Sequence, residues 1–403
     1  MKHAVLTTAI AAAFAGYGGA VSANGISDDV VRIGFITDMS GVYADYDGAA
    51  GAEAIRMAIE DAGGSIAGKK IELFVADHQN KADIASAKAR EWYDSNKVDV
   101  VFGGTNSAAS IAMSAVAAEK NKLFISTGAG TSALTNESCN PYTIQYTYST
   151  SGLAKGTGSA VVKNGGDSWF FITTDYTFGH ALERETSDVV KSEGGKINGA
   201  VRVPLGAADF SSFILQAQSS KSKILGLANA GGDFVNAVKT AADFGLNKTM
   251  NMVGLTVFMQ DIHTLGLDVT QGMYFTSPWF WNQSPEAKAW SDRMEPRIKR
   301  KPSYIQAGDY SATQAYIKAV TESKTDNGDV VMKWLKANPV NDFFVTNGVI
   351  RADGRMMNGM TLLQVKTPAE SSGPWDYHKA VQKISAEEIY GPLSQSTCKF
   401  VKS

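Results

Sequence analysis

Short apolar runs, each closed by small and polar residues, recur along the chain and restrict its fold more than any other feature. "VVRIGFITDMSG", "KIELFVADHQN", "VDVVFGGTNS" and "KLFISTGAG" form one series. "SWFFITTDYTFG", "KILGLANAGGD", "NMVGLTV" and "GMYFTSPW" form a second. The runs are continuous rather than alternating, which suits parallel strands covered on both faces. Helical periodicity fills the gaps. Ala54, Ile55, Ala58 and Ile59 share one face and stop at "AGG", and "SAASIAMSAVAAEK" and "FGHALERETSDVVKSEGG" behave likewise. The expected architecture is α/β, made of two successive βα series.

The first residues, "MKHAVLTTAIAAAFAGYGGAVSA", carry one early Lys, an Ala-rich apolar stretch and an A-x-A-like end at Val21 and Ala23. That reads as a secretory signal cut after Ala23, so residues 1–23 are expected to be removed and the mature chain exported. No later run is long enough to span a bilayer as a helix. The 380 residues left from 403 after removing 23 exceed one ordinary core, so two domains are expected. Without Lys2, 37 basic side chains (38 less one) face 40 acidic ones, with no basic stripe for nucleic acid. Cys139 and Cys398 are the two cysteines, and export predicts a disulfide between them.

Open parallel sheets bind ligands outside the carboxyl ends of their strands. Here those ends carry Asn106 and Ser107, Gly128 to Thr131, Asp175, and Asn229 to Asp233. The stretch "ISTGAGTSALT" also reads G-x-G-x-x-A, which permits three uses: a dinucleotide loop, a carboxylate pocket or a tight turn. The first fails on its partner, because the region about 20 residues on is "YTYST", with no acid for a ribose. Hydrolase chemistry has no G-x-S-x-G elbow and no H-E-x-x-H pair, and His78, His180, His263 and His378 are scattered. No His/Cys cluster suggests a metal. Recognition without bond chemistry or cofactor is the expectation that remains.

Taken together, "VRIGFITDMSGVYADYDGAAGAEAIRMAIEDAGG", "VFGGTNSAA", "ISTGAGTSALT", "TTDYTFGHAL", "ANAGGD" and "VKTPAESSGPWDY" resemble the periplasmic ligand-binding proteins of branched-chain-amino-acid-type ABC transporters. The tail most resembles a branch associated with aromatic and other small organic acids. The resemblance implies a type I binding protein: two Rossmann-like lobes joined by three crossings that close on a ligand. It places the first lobe at 24–146 and 277–345, and the second at 147–276 and 346–403. The crossings fall in "NPYTIQYTYSTSG", "YFTSPWFWNQSP" and "VTNGVIRADGRMM". The family's carboxylate-holding loops map onto Ser107, with Asn106 beside it, and onto Gly128, Ala129, Gly130 and Thr131. The resemblance further puts Phe178 where the family has a tyrosine before glycine, with Asp175 or Tyr176 to replace the lost hydroxyl. Asn229, Ala230 and Asp233 fall where amino-acid binders place an acid for the ammonium group. Tyr43, Tyr148, Trp279 and Tyr310 are expected as cavity walls. The partner it implies is an inner-membrane ABC permease served by a monomer that carries a small carboxylate; a ligand sensor docking on a receptor is the neighbouring reading, and an exported α/β hydrolase the remaining one.

Overall fold

The computed structural model describes residues 25–401; the expected signal segment and its cleavage site lie outside the described residues. The first sheet is built from β1 (Val30–Thr37), β2 (Ser65–Ile66), β3 (Lys69–Asp77), β4 (Val100–Gly103), β5 (Leu123–Ser126) and β6 (Thr143–Gln145). Its order is β2-β3-β1-β4-β5-β6. All neighbours are parallel except the short β2, which turns back on β3. Helices Gly48–Asp61, Ala82–Asp94 and Ser107–Lys120 cover its faces, and β1 is central because both its faces are apolar. Gly34 in β1 leaves room for a helix: a Cβ there would sit 2.7 Å from the Trp92 ring. Register matters more for function. Ile36 pairs with Gly103, and Gly103 with Ser126, so Thr37, Thr105 and Thr127 emerge on one carboxyl edge.

The second lobe repeats the plan with β7 (Ser168–Thr174), β8 (Lys196–Val203), β9 (Ile224–Ala228) and β10 (Asn251–Gly254), ordered β10-β9-β7-β8 and parallel throughout. The next strand, β11 (Tyr274–Ser277), departs from the expected parallel series. After it the chain returns to the first lobe through helices Pro285–Ile298, Tyr304–Ser323 and Gly328–Ala337 and a hairpin, β12 (Val349–Ile350) and β13 (Met356–Met357). It then re-enters as β14 (Met360–Val365) and β15 (His378–Ile384). β11, β14 and β15 form an antiparallel sheet, because β14 arrives from the far side rather than by a helical crossover.

Two expected boundaries shift. The hairpin belongs to the first lobe, since Arg355 bridges Gln145 at the edge of β6. The third crossing is therefore at Asn358–Gly359, not after residue 345. The tail also leaves the second lobe: Ser396 Oγ donates to Thr135 O at 3.1 Å. Cys398 is bonded to Cys139 with Cα atoms 5.6 Å apart, which is the disulfide expected from the two cysteines. Among the described residues no helix is long and apolar enough to cross a membrane.

Candidate functional site

The carboxyl edges of the two parallel sheets face each other across a narrow cavity. From the first lobe come Tyr43, Tyr46, Thr105, Gly128 and Ile305. Tyr148 comes from the first crossing, and Tyr176, Phe178, Ala230 and Phe258 from the second lobe. The walls are thus aromatic on both sides, with few polar groups, the usual make-up of a small-molecule site. A larger, open groove lies at the other end of the second lobe's strands, lined by residues such as Asn164, Asn251 and Gln271. It is remote from the strand-end loops and gathers no groups from the first lobe.

Each wall residue is fixed by its element. Tyr43 follows the turn after β1, where Asp38 accepts the amides of Gly41 at 2.7 Å and Tyr43 at 2.9 Å. Its hydroxyl meets that of Tyr176 at 2.7 Å. Tyr176 stands before the helix Thr177–Ser192, whose second residue is Phe178. Tyr148 Oη donates to Gly128 O at 3.0 Å. Burial pushes the hydroxyls of Tyr43, Tyr148 and Tyr176 above their ordinary range, so all three stay neutral.

The small-residue loop is tightly built. A Cβ at Gly128 would lie 2.8 Å from Thr105, and one at Gly130 would lie 2.8 Å from Tyr148 and 2.9 Å from Phe178. Asn106 caps the helix Ser107–Lys120 by accepting Ala109 N at 3.0 Å, and Ser107 Oγ accepts Thr131 N at 3.3 Å. Thr131 in turn accepts Ala133 N at 3.4 Å. These three side chains shape the loop. The amides of Ala129 and Gly130 have no hydrogen-bond partner among the described residues.

Six of the residues expected at the site line the cavity: Tyr43, Gly128, Tyr148, Tyr176, Phe178 and Ala230. Asn229 sits just beside, fully buried, and neither atom of its amide has a partner among the described residues. Asp233 is buried but already engaged, accepting Gly206 N at 3.0 Å and Thr174 Oγ1 at 3.4 Å; burial pushes its carboxyl up to about 6. Three expected residues lie elsewhere. Asp175 is exposed and pairs with His180 at 2.7 Å. Trp279 is packed at the second crossing, its indole donating to Phe343 O at 3.2 Å. Tyr310 faces outward and donates to Asp61 at 2.5 Å. Each is drawn away by a polar partner on its own side of the fold.

Four lining residues were missed. Thr105 and Phe258 follow β4 and β10, where the strand-end rule applied and could have named them. Tyr46 is three residues after Tyr43 in "GVYADYDG", and Ile305 is the second residue of a helix far along the chain, with no local signal. Beneath the first-lobe edge lies a buried acid pair. Asp47, which accepts the Thr37 hydroxyl, is pushed up to about 6 by burial, and Asp309 is raised well above the ordinary carboxylate range by burial and by Asp47.

Two α/β lobes with opposed strand ends and an aromatic cavity between them define a cleft-type ligand-binding protein. A family model described as periplasmic binding protein matches residues 30–373. The chain belongs to the periplasmic binding protein family. It is 54% identical to a periplasmic binding protein from Burkholderia mallei, covering 93% of this chain and 100% of that one, with a TM-score of 0.91. It is 34% identical to a branched-chain amino acid ABC transporter periplasmic ligand-binding protein from Burkholderia xenovorans LB400, covering 92% and 99%, with a TM-score of 0.82. A solute-binding protein of an ABC transporter from Rhodopseudomonas palustris BisB5, solved with 3,4-dihydroxybenzoic acid, shares the fold at 22% identity, 89% and 98% coverage and a TM-score of 0.81. None of the curated proteins compared gives a match.

Proposed function

We propose that this chain is an exported solute-binding protein that captures a small carboxylate between its lobes and delivers it to an inner-membrane ABC permease. One observation carries the reading: the unpartnered amides of Ala129 and Gly130 lie beside Gly128 on the cavity wall, next to the N-terminus of helix Ser107–Lys120. Amide N–H groups and a helix N-terminus supply the partial positive charge a carboxylate needs. The aromatic walls suit a ring or an apolar chain on the same ligand. Two relatives of the same fold, the one with dihydroxybenzoate and one with benzoate, were solved holding such acids.

Calorimetry on benzoate, 4-hydroxybenzoate and leucine, each against its neutral amide, tests the reading. An acid that binds should outbind its amide by tenfold to a hundredfold, because a charge-assisted hydrogen bond contributes roughly 1.5–3 kcal/mol. Equal affinity for acid and amide would reduce the loop to a turn and a helix cap.

A further inference from the structure

Tyr46 belongs to the first lobe by its backbone and to the second by its side chain. Its carbonyl accepts the Ser303 hydroxyl, and Gln306 Nε2 holds the neighbouring carbonyl of Asp47 at 3.4 Å. Both partners stand at the start of the long first-lobe helix Tyr304–Ser323, so the turn cannot leave that lobe. The ring crosses the cleft and stacks on Phe258, with centroids 3.6 Å apart and planes 16° from parallel. Its hydroxyl donates to Asp261 Oδ1 at 2.5 Å and accepts Gly231 N at 2.5 Å. Asp261 opens the second-lobe helix Met259–Leu265, and its other oxygen accepts Phe258 N at 2.8 Å.

We infer that Tyr46 and Asp261 form a latch that sets how far the cleft stands closed before any ligand arrives. The inference rests on the hinged binding-protein reading but not on the identity of the ligand. Like the Ser132–Glu185 bond, the latch joins a hydroxyl to a carboxyl across the lobes, whereas the Tyr43–Tyr176 bond joins two hydroxyls. Burial pushes the Asp261 carboxyl up to about 7, and its ionised form holds the Tyr46 hydroxyl more strongly than a neutral acceptor would. Both latch residues are almost wholly buried, so water does not weaken the contact. The backbone beside it is fitted for close approach: Gly232 N donates to Val42 O at 3.3 Å. Asp261 Oδ2 serves its own helix, but Oδ1 finds its partner only across the cleft. Opening therefore breaks two hydrogen bonds of one hydroxyl and uncovers a stacked ring. A positioning residue of this kind changes affinity through the closed fraction, because affinity scales with the share of molecules already competent.

Spin labels report the closed fraction directly. Ala87→Cys on the first lobe and Lys239→Cys on the second are exposed helix positions, and the two native cysteines are already bonded to each other. Distance distributions are recorded by pulsed EPR on ligand-free protein, for the parent and for Tyr46→Phe, Asp261→Asn and their combination. Tyr46→Phe keeps the ring on Phe258, and Asp261→Asn keeps an acceptor for the helix cap, so both should melt close to the parent. Each single variant should raise the open-to-closed ratio on the order of tenfold, and the pair should do little more than either alone. Unchanged distances in both variants, additive shifts in the pair, or a parent that is wholly open without ligand would each overturn the latch. A cleft that binds no carboxylate in calorimetry would overturn the ligand reading and leave the latch standing.

Discussion

Tyr43 in the first lobe and Tyr176 in the second meet hydroxyl to hydroxyl at 2.7 Å on the cavity wall. Burial keeps both neutral, so either can donate, to the other or to a ligand oxygen. Tyr176→Phe should weaken binding of any acid found by calorimetry by up to about tenfold, the value of one neutral hydrogen bond. Tyr43→Phe should do the same, and the double variant should not be much worse, since each single change already breaks the pair. Additive losses would mean that the two hydroxyls serve the ligand separately.

Gly231 makes a second prediction. Its φ is +67°, and a Cβ there would sit 2.2 Å from Val42 O of the opposite lobe. Gly231→Ala should therefore hinder closure while leaving each lobe folded, because the clash exists only across the cleft. Affinity should fall at least tenfold, and small-angle scattering with a bound acid should show less compaction than the parent. The left-handed backbone adds roughly 1 kcal/mol or more of strain whether the cleft is open or closed, so melting should drop modestly as well. Full compaction in this variant would show that the lobes can close by another path.

The Cys139–Cys398 bond closes a loop with a sequence separation of 259 residues and ties the tail, which comes from the second lobe, to the first. Removing it with Cys139→Ser and Cys398→Ser frees the unfolded chain and should cost about 2–4 kcal/mol in chemical denaturation. The tail would keep only contacts such as Ser396 Oγ to Thr135 O at 3.1 Å. Protease susceptibility after residue 391 should rise. A variant as stable and as protease-resistant as the parent would show that those contacts hold the tail unaided.

Much of this was legible in the residues because it is local. Continuous apolar runs revealed seven of the eight parallel strands of at least four residues, and the strand-end rule placed Gly128 and Ala230. The edge strand β8 was hidden: in Lys196–Val203 exposed and partly buried residues alternate, so no continuous run exists. The antiparallel partner of β11 was hidden for another reason, since β14 lies far along the chain and local pattern says nothing of direction. Tyr310 and Trp279 misled because an aromatic residue near a crossing looks the same whether it faces the cleft or packs behind it. Asp175 misled because a carboxylate at a strand end can turn outward to a histidine as easily as inward. Asp261, the cross-cleft acceptor, offered no signal; its partner Tyr46 is 215 residues away.

The buried acids Asp47 and Asp309 argue the last prediction. Neither oxygen of Asp309 has a hydrogen-bond partner among the described residues, and Asp47 Oδ1 has none either. A Cβ at Gly51 would meet Asp47 Oδ1 and Asp309 Oδ2 within 2.8 Å, so the two carboxyls are close neighbours and a shared proton is the simplest way to satisfy both. The groups around them add no positive charge: Asp38 raises Asp47, and the Thr37 hydroxyl only partly offsets its burial. Both native carboxyls thus titrate above their unfolded values, Asp47 at about 6 rather than 3.8. The stability they contribute is fully present below the unfolded value and is lost as pH rises through the native one. The parent should accordingly lose stability between pH 4 and above pH 6, and Asp309→Asn should remove part of that slope. An asparagine there can donate to Asp47 Oδ1 at every pH and lets Asp47 ionise beside a neutral neighbour. Its melting temperature should match the parent at pH 5 and exceed it by a few degrees at pH 8, on the order of 1–3 kcal/mol. Asp99 and Asp233, both pushed up to about 6, titrate in the same window, so the difference between variant and parent is the quantity to read. Parallel pH profiles for the two proteins would mean that Asp47 and Asp309 do not share a proton.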